Sequence, residues 1–236
     1  MKDWPAEKLT VTVGSTRVSA LLLCPHEARA CYVLAHGAGA GMAHPFLEAI
    51  ARSLADRQIA TFRFQFPYME LGGKRPDPPR LAQATVRAAV VVARGRLPDL
   101  PLVAGGKSFG SRMTSQAQAS EPLPGVRGLV FLGFPLHPAN SPSSSRAEHL
   151  DQIQIPLLFL QGTRDALADI DLIHALIARL GSRAMLHAIN DADHSFRLPA
   201  RAGRTASEVT VELAGQIADW THTLNKTRGA VGSEEG

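Results

Sequence analysis

Little in this sequence points to a membrane, an oxidising compartment or a nucleic acid. No apolar run approaches the ~20 residues that a membrane helix needs, and the opening MKDWPAEKLT lacks a signal-peptide core. Only two cysteines, Cys24 and Cys31, occur in 236 residues. They are too few for a disulfide framework and are expected as inert, small apolar core residues in a reducing, cytoplasmic setting. Aromatic residues make up 6%, which offers few platforms for base stacking. The 25 basic residues exceed the 21 acidic ones by a net +4, scattered with no Lys/Arg block, so no nucleic-acid partner is expected. Histidine pairs at helical spacing and Cys-x-x-Cys are missing as well, so no metal is expected. What is present is ordinary globular composition, 45% hydrophobic and 19% charged. A chain of this size buries roughly two-thirds to three-quarters of its unfolded surface, enough to fold without staples.

Short apolar strands alternate with helical periods. Residues 9–13 and 18–23 read as strands joined by a turn at Gly14-Ser15. Further strands are expected at 31–35, 59–64, 102–105, 126–133, 157–161 and 184–189. Their continuous apolar character suits burial on both faces of a parallel sheet. Phe46, Ile50 and Leu54 share one helical face behind Pro45, which sits where a first turn tolerates it. Leu81, Ala84, Ala88 and Val91 oppose Gln83, Arg87 and Arg94, again at helical spacing. A small-residue helix is expected at 108–119. Leu172, Ile173, Leu176, Ile177 and Leu180 make another that Gly181 can end. Thr205 and Glu208 stand at capping-box spacing before Val209, Leu213, Ile217, Trp220 and Leu224. Segment 65–79 and the Ser/Pro-rich stretch around 141–145 read as loops. Two opening strands followed by repeated βα units predict one α/β domain over 1–226 and a loose tail over 227–236.

The chemistry centres on Gly106-Lys107-Ser108-Phe109-Gly110. G-x-S-x-G alone is a weak pattern, but here it falls between an expected strand and an expected helix. A nucleophile elbow needs that placement, because a tight turn holds the serine above the sheet edge. A serine hydroxyl near neutral pH also needs a base, itself oriented by a third group. Downstream, Asp165 follows the strand at 157–161 and His194 follows the strand at 184–189. All three candidates fall at strand C-terminal ends, where open parallel sheets bind ligands. Asp169, Asp171, Asp191 and Asp193 are nearby alternatives for the acid or for helix caps.

The chain is similar to the α/β-hydrolases. Gly105-Gly106-Lys107-Ser108-Phe109-Gly110-Ser111-Arg112-Met113 and Arg63-Phe64-Gln65-Phe66-Pro67-Tyr68 resemble a small dienelactone-hydrolase-like group within them. The resemblance extends over about residues 9–225. It implies a single-domain α/β-hydrolase fold, a mostly parallel sheet of about eight strands flanked by helices, with the chain order Ser108, Asp165, His194. It also implies an oxyanion hole from the N–H of Phe109 and that of Ala38 or Gly39, in the stretch His36-Gly37-Ala38-Gly39. Dienelactone hydrolases proper carry cysteine at the elbow, where this chain has serine. There is no long helical insertion after Phe134, so no large lid is expected.

These readings converge on a serine hydrolase cleaving a small or medium acyl ester or thioester through an acyl-enzyme, with no cofactor. An amidase or peptidase would use the same residues, and a non-catalytic scaffold could share the fold. Lys107, Tyr68 and His137 are candidate substrate contacts, Lys107 for an acidic substrate. Arg112 reads as a structural ion pair or a substrate contact. His36 reads as structural. A phosphate-binding P-loop fails because Pro101 stands where its first glycine belongs. A dinucleotide fold fails because Met42 stands where the third glycine of that fingerprint belongs.

Overall fold

The computed structural model describes residues 4–229, with side chains as far as Leu224. Eight strands form one sheet in the order β1-β2-β4-β3-β5-β6-β7-β8. β1 (Glu7–Val13) and β2 (Thr16–Leu23) make an antiparallel hairpin. Its two-residue turn uses Gly14 at φ 58°, a conformation that suits glycine in a tight hairpin. β2 pairs antiparallel with β4 (Ile59–Phe64). From there β3 (Ala30–Ala35), β5 (Leu102–Lys107), β6 (Val126–Leu132), β7 (Leu157–Gly162) and β8 (Ala184–Ile189) continue in parallel. β3, β4 and β7 are buried along their whole length, as a sheet covered on both faces requires.

Helices cover both faces. α1 (Pro45–Ala55) and α6 (Ala206–Gly229) lie on one, burying Leu47, Ile50, Leu54, Val209, Leu213 and Ile217 against the sheet. α3 (Pro79–Arg96), α4 (Phe109–Ser120) and α5 (Ile170–Leu180) lie on the other. α6 opens with the expected capping box: Thr205 N–H donates to Glu208 and Glu208 N–H donates to Thr205 Oγ1. Gly181, at φ 61°, ends α5. No helix among the described residues is long and apolar enough to cross a membrane.

Several expectations need correction. The loop at 65–79 contains a four-residue helix, α2 (Pro67–Glu70), and α3 begins at Pro79. α3 faces the core with Ala82, Thr85, Val86, Ala89, Val90 and Ala93, while Leu81 and Val91 are 36% and 58% exposed. Apolar residues encircle that helix, so periodicity does not select a face. Close packing on the sheet selects the smaller residues instead. Cys31 is a buried core residue, but Cys24 is exposed. The stretch before β7 holds a 3₁₀ helix, Ser145–Gln152. α6 continues to Gly229, into the span read as tail, and 230–236 lie outside the described residues.

Candidate active site

β5 delivers Ser108 to the C-terminal edge of the sheet, and α4 starts at the next residue. Ser108 has φ 52° and ψ −111°, a backbone conformation that costs a non-glycine residue roughly 1–3 kcal/mol. The flanking glycines explain how so sharp a turn fits. A Cβ at Gly106 or Gly110 would lie 2.4 or 2.5 Å from the carbonyl oxygen of Ala35, at the end of β3. Only hydrogen fits there. Ser108 N–H donates to Leu132 O at 3.1 Å, and Thr114 Oγ1 donates to Gly105 O at 3.2 Å, which secures the strained turn.

Two loops meet this turn. Ser108 Oγ lies 2.8 Å from His194 Nε2, and His194 Nδ1 lies 2.7 Å from Asp165 Oδ2. A proton on Nδ1, donated to the carboxylate, leaves Nε2 as the acceptor for the serine hydroxyl. Asp165 is nearly enclosed, at 5% exposure. Its Oδ1 accepts the Leu167 N–H at 2.8 Å, and its Oδ2 also accepts from Gln161 Nε2 at 2.5 Å. Donors on three sides hold the carboxylate as an oriented acceptor.

The loop after β3 faces the elbow across the sheet edge. His36 is fully buried; its Nε2 accepts the Phe66 N–H at 3.0 Å and its Nδ1 donates to Gly37 O at 2.8 Å. Burial lowers its pKa to about 4, so it stands neutral. Met42 N–H donates to Gln65 Oε1 at 2.7 Å, and Gly39 N–H donates to the Tyr68 hydroxyl at 3.0 Å. Among the described residues the Ala38 N–H has no such acceptor. Phe109 is the first residue of α4, where an N–H has no partner within its helix.

A family model described as an alpha/beta hydrolase domain matches residues 28–222. The chain belongs to this family. Solved structures give the same fold at low identity. A dienelactone hydrolase from Anabaena variabilis superposes with a TM-score of 0.73 at 19% identity, covering 93% of this chain and 98% of that one. XC6422 from Xanthomonas campestris, described as an α/β serine hydrolase without a lid, gives 0.71 at 20% identity, over 91% and 94%. The esterase domain of a Rhodothermus marinus protein gives 0.69 at 16%, over 92% and 97%.

Not every residue singled out in this hydrolase chain faces the reacting edge. Lys107 is engaged within the protein, its Nζ donating to His194 O at 2.6 Å. His137, buried at 3% exposure, donates from Nδ1 to Pro138 O and accepts the Asp169 N–H on Nε2 at 2.9 Å. Both ring nitrogens are engaged, so it braces the loop carrying Asp165. Tyr68 spends its oxygen on Gly39, which leaves Ala38 rather than Gly39 with the available N–H. Two of the alternative acids are engaged elsewhere: Asp169 caps α5 by accepting the Asp171 and Leu172 N–H groups, and Asp193 accepts those of Ser195 and Arg197 within its own loop. Arg112 makes no ion pair among the described residues; its Nε is buried without a partner.

Some residues of this region escaped the reading of the sequence. Gln161 spans from Asp165 to the Phe134 N–H, which its Oε1 accepts at 2.9 Å. Arg63, fully buried in β4, pairs with Glu48 at 2.6 Å and donates to Met42 O at 3.2 Å. Burial raises the Glu48 carboxyl, but the charges of Arg63 and Arg52 outweigh it and the net direction is down. A polar residue inside an apolar strand was the available signal for both.

Proposed function

We propose that this protein is a serine hydrolase acting on a small or medium acyl ester or thioester. The observation that carries this reading is the continuous hydrogen-bonded line from Ser108 through His194 to buried Asp165. Ser108 Oγ attacks the acyl carbonyl carbon while His194 Nε2 takes its proton. Asp165 orients the imidazole and stabilises its cationic form. The tetrahedral oxyanion sits between the N–H groups of Phe109 and Ala38. One such donor contributes ~10²–10³ in turnover. His194 then protonates the leaving alcohol or thiol as the carbon–oxygen or carbon–sulfur bond breaks. A water molecule, deprotonated by the same imidazole, attacks the acyl-enzyme and releases the carboxylic acid and Ser108.

The test is intact-mass measurement after exposure to a fluorophosphonate, run beside Ser108→Ala. One adduct on the native protein and none on the variant is expected. An unlabelled, well-folded native protein would overturn the assignment. Asp165→Asn should lower ester turnover by ~10⁴, as a misoriented imidazole does. A near-normal rate would mean the acid is another residue.

A further inference from the structure

His194 reaches Ser108 from far across the sheet. It follows β8, whereas Ser108 follows β5, and β6 and β7 lie between them. At the usual strand spacing this is a span of about 14 Å. The loop after β8 crosses it on two glycines. A Cβ at Gly162 would stand 2.3 Å from Ala192 O, and one at Gly133 would stand 3.4 Å from His194 O. Crossing so low brings the loop down on the Lys107 side chain. Besides its bond to His194 O, the ammonium lies 5.4 Å from the centre of the Phe196 ring, on the same loop. A Cβ at Gly133 would also stand 3.0 Å from Nζ, so that glycine leaves the space the ammonium fills.

We propose that Lys107 is a positioning residue for the Ser108–His194 pair: its ammonium ties the loop carrying the imidazole to the turn carrying the hydroxyl, and its charge opposes a second positive charge on that imidazole. The proposal rests on the reading of Ser108 as the nucleophile. Lys107 precedes Ser108 directly, so any movement of the elbow carries the clamp with it. Its direct partners are a carbonyl and an aromatic face, a costly setting for a partly buried ammonium. Burial accordingly lowers its pKa to about 8, with Asp165 and Asp193 pulling the other way. It is charged at neutral pH. Asp165, from the loop after β7, meets the imidazole at 2.7 Å, and Asp193 is the chain neighbour of His194; both also act on the Lys107 ammonium, from β5. Lys107 is the cation among these groups, and a cation opposes a positive charge developing on the ring.

The deciding measurements are the titration of the His194 ring by NMR and the pH profile of ester hydrolysis, in the native protein, Lys107→Met and Lys107→Gln. Losing the cation should raise the His194 pKa by about one pH unit, within the range that a nearby charge exerts. The acid limb of kcat/KM should move with it. Lys107→Met should also lower kcat about 10²-fold with KM little changed, as a misplaced catalytic group does. Lys107→Gln keeps a donor without the charge, and carries the same test if the methionine variant does not fold. Lys107→Arg should return the acid limb toward its native position. An unmoved His194 titration and a native pH profile in both neutral variants would overturn the proposal. If the native protein takes no fluorophosphonate, the nucleophile reading falls separately. The NMR titration still decides Lys107: a raised His194 pKa supports the clamp, and an unchanged one removes it.

Discussion

At the scale of single residues, His36 shows how a buried imidazole can hold a loop while carrying a liability in acid. Its Nε2 accepts from Phe66 and its Nδ1 donates to Gly37, so a second proton breaks one bond and places a charge in the core. The folded pKa, about 4, is below the ordinary 6.5. Between those values the unfolded chain binds more protons, so stability is complete above pH 6.5 and falls as pH drops toward 4. The loss is about 3 kcal/mol. His149, also lowered to about 4 by burial, adds in the same direction. Urea unfolding at pH 7 and pH 4.5 should therefore show a smaller difference for His36→Asn than for the native protein. An equal difference would place the acid sensitivity elsewhere. Ser108, Asp165 and His194, which the fold joins by hydrogen bonds, were legible as candidates at this scale because each follows a strand in a set order. Gln161, Arg63 and the engagement of the Gly39 N–H were not. Their meaning depends on partners that only folding supplies: the Phe134 N–H, the Met42 carbonyl and the Tyr68 hydroxyl.

Between elements, the contact of α4 with β3 decides the shape of the elbow. Gly110→Ala gains about 1 kcal/mol in helix propensity, but its Cβ would meet Ala35 backbone and side-chain atoms at 2.5 to 2.8 Å. Overpacking of this kind costs about 1–3 kcal/mol, and backbone cannot rotate aside as a side chain would. A lower melting temperature and slower fluorophosphonate labelling are expected, since Ala35 leads into the loop carrying Ala38. Gly95→Ala is the matched control. It lies near the end of α3 with nothing within 4 Å of the added carbon and should keep or raise stability. If both variants behave alike, contact with β3 is not what demands glycine at 110. Strands were legible from their apolar runs, and α6 from its cap. The buried face of α3 was not, because Leu81, Ala84, Ala88 and Val91 form only one of several apolar stripes around it.

Over the whole molecule, the connection from β6 to β7 carries no large insertion. Between β6 and β7 the chain adds only the eight-residue 3₁₀ helix Ser145–Gln152, so no large apolar flap is available to enclose a long acyl chain. Short-chain p-nitrophenyl esters should be hydrolysed with higher kcat/KM than long-chain ones. A rate that rises with chain length would contradict an open site. The sequence by itself determined the α/β alternation, the eight strands and the candidate residues at strand ends, because hydrophobic period and turn chemistry are local properties. Only the tertiary structure decided which polar groups are spent on the protein and which remain for a substrate. Lys107, His137 and Gly39 all looked available in the sequence. Packing β4, β3, β5, β6, β7 and β8 side by side brought carbonyls, hydroxyls and N–H groups from distant segments against them. A buried polar group takes the partner that lies within reach, and reach is set by the fold.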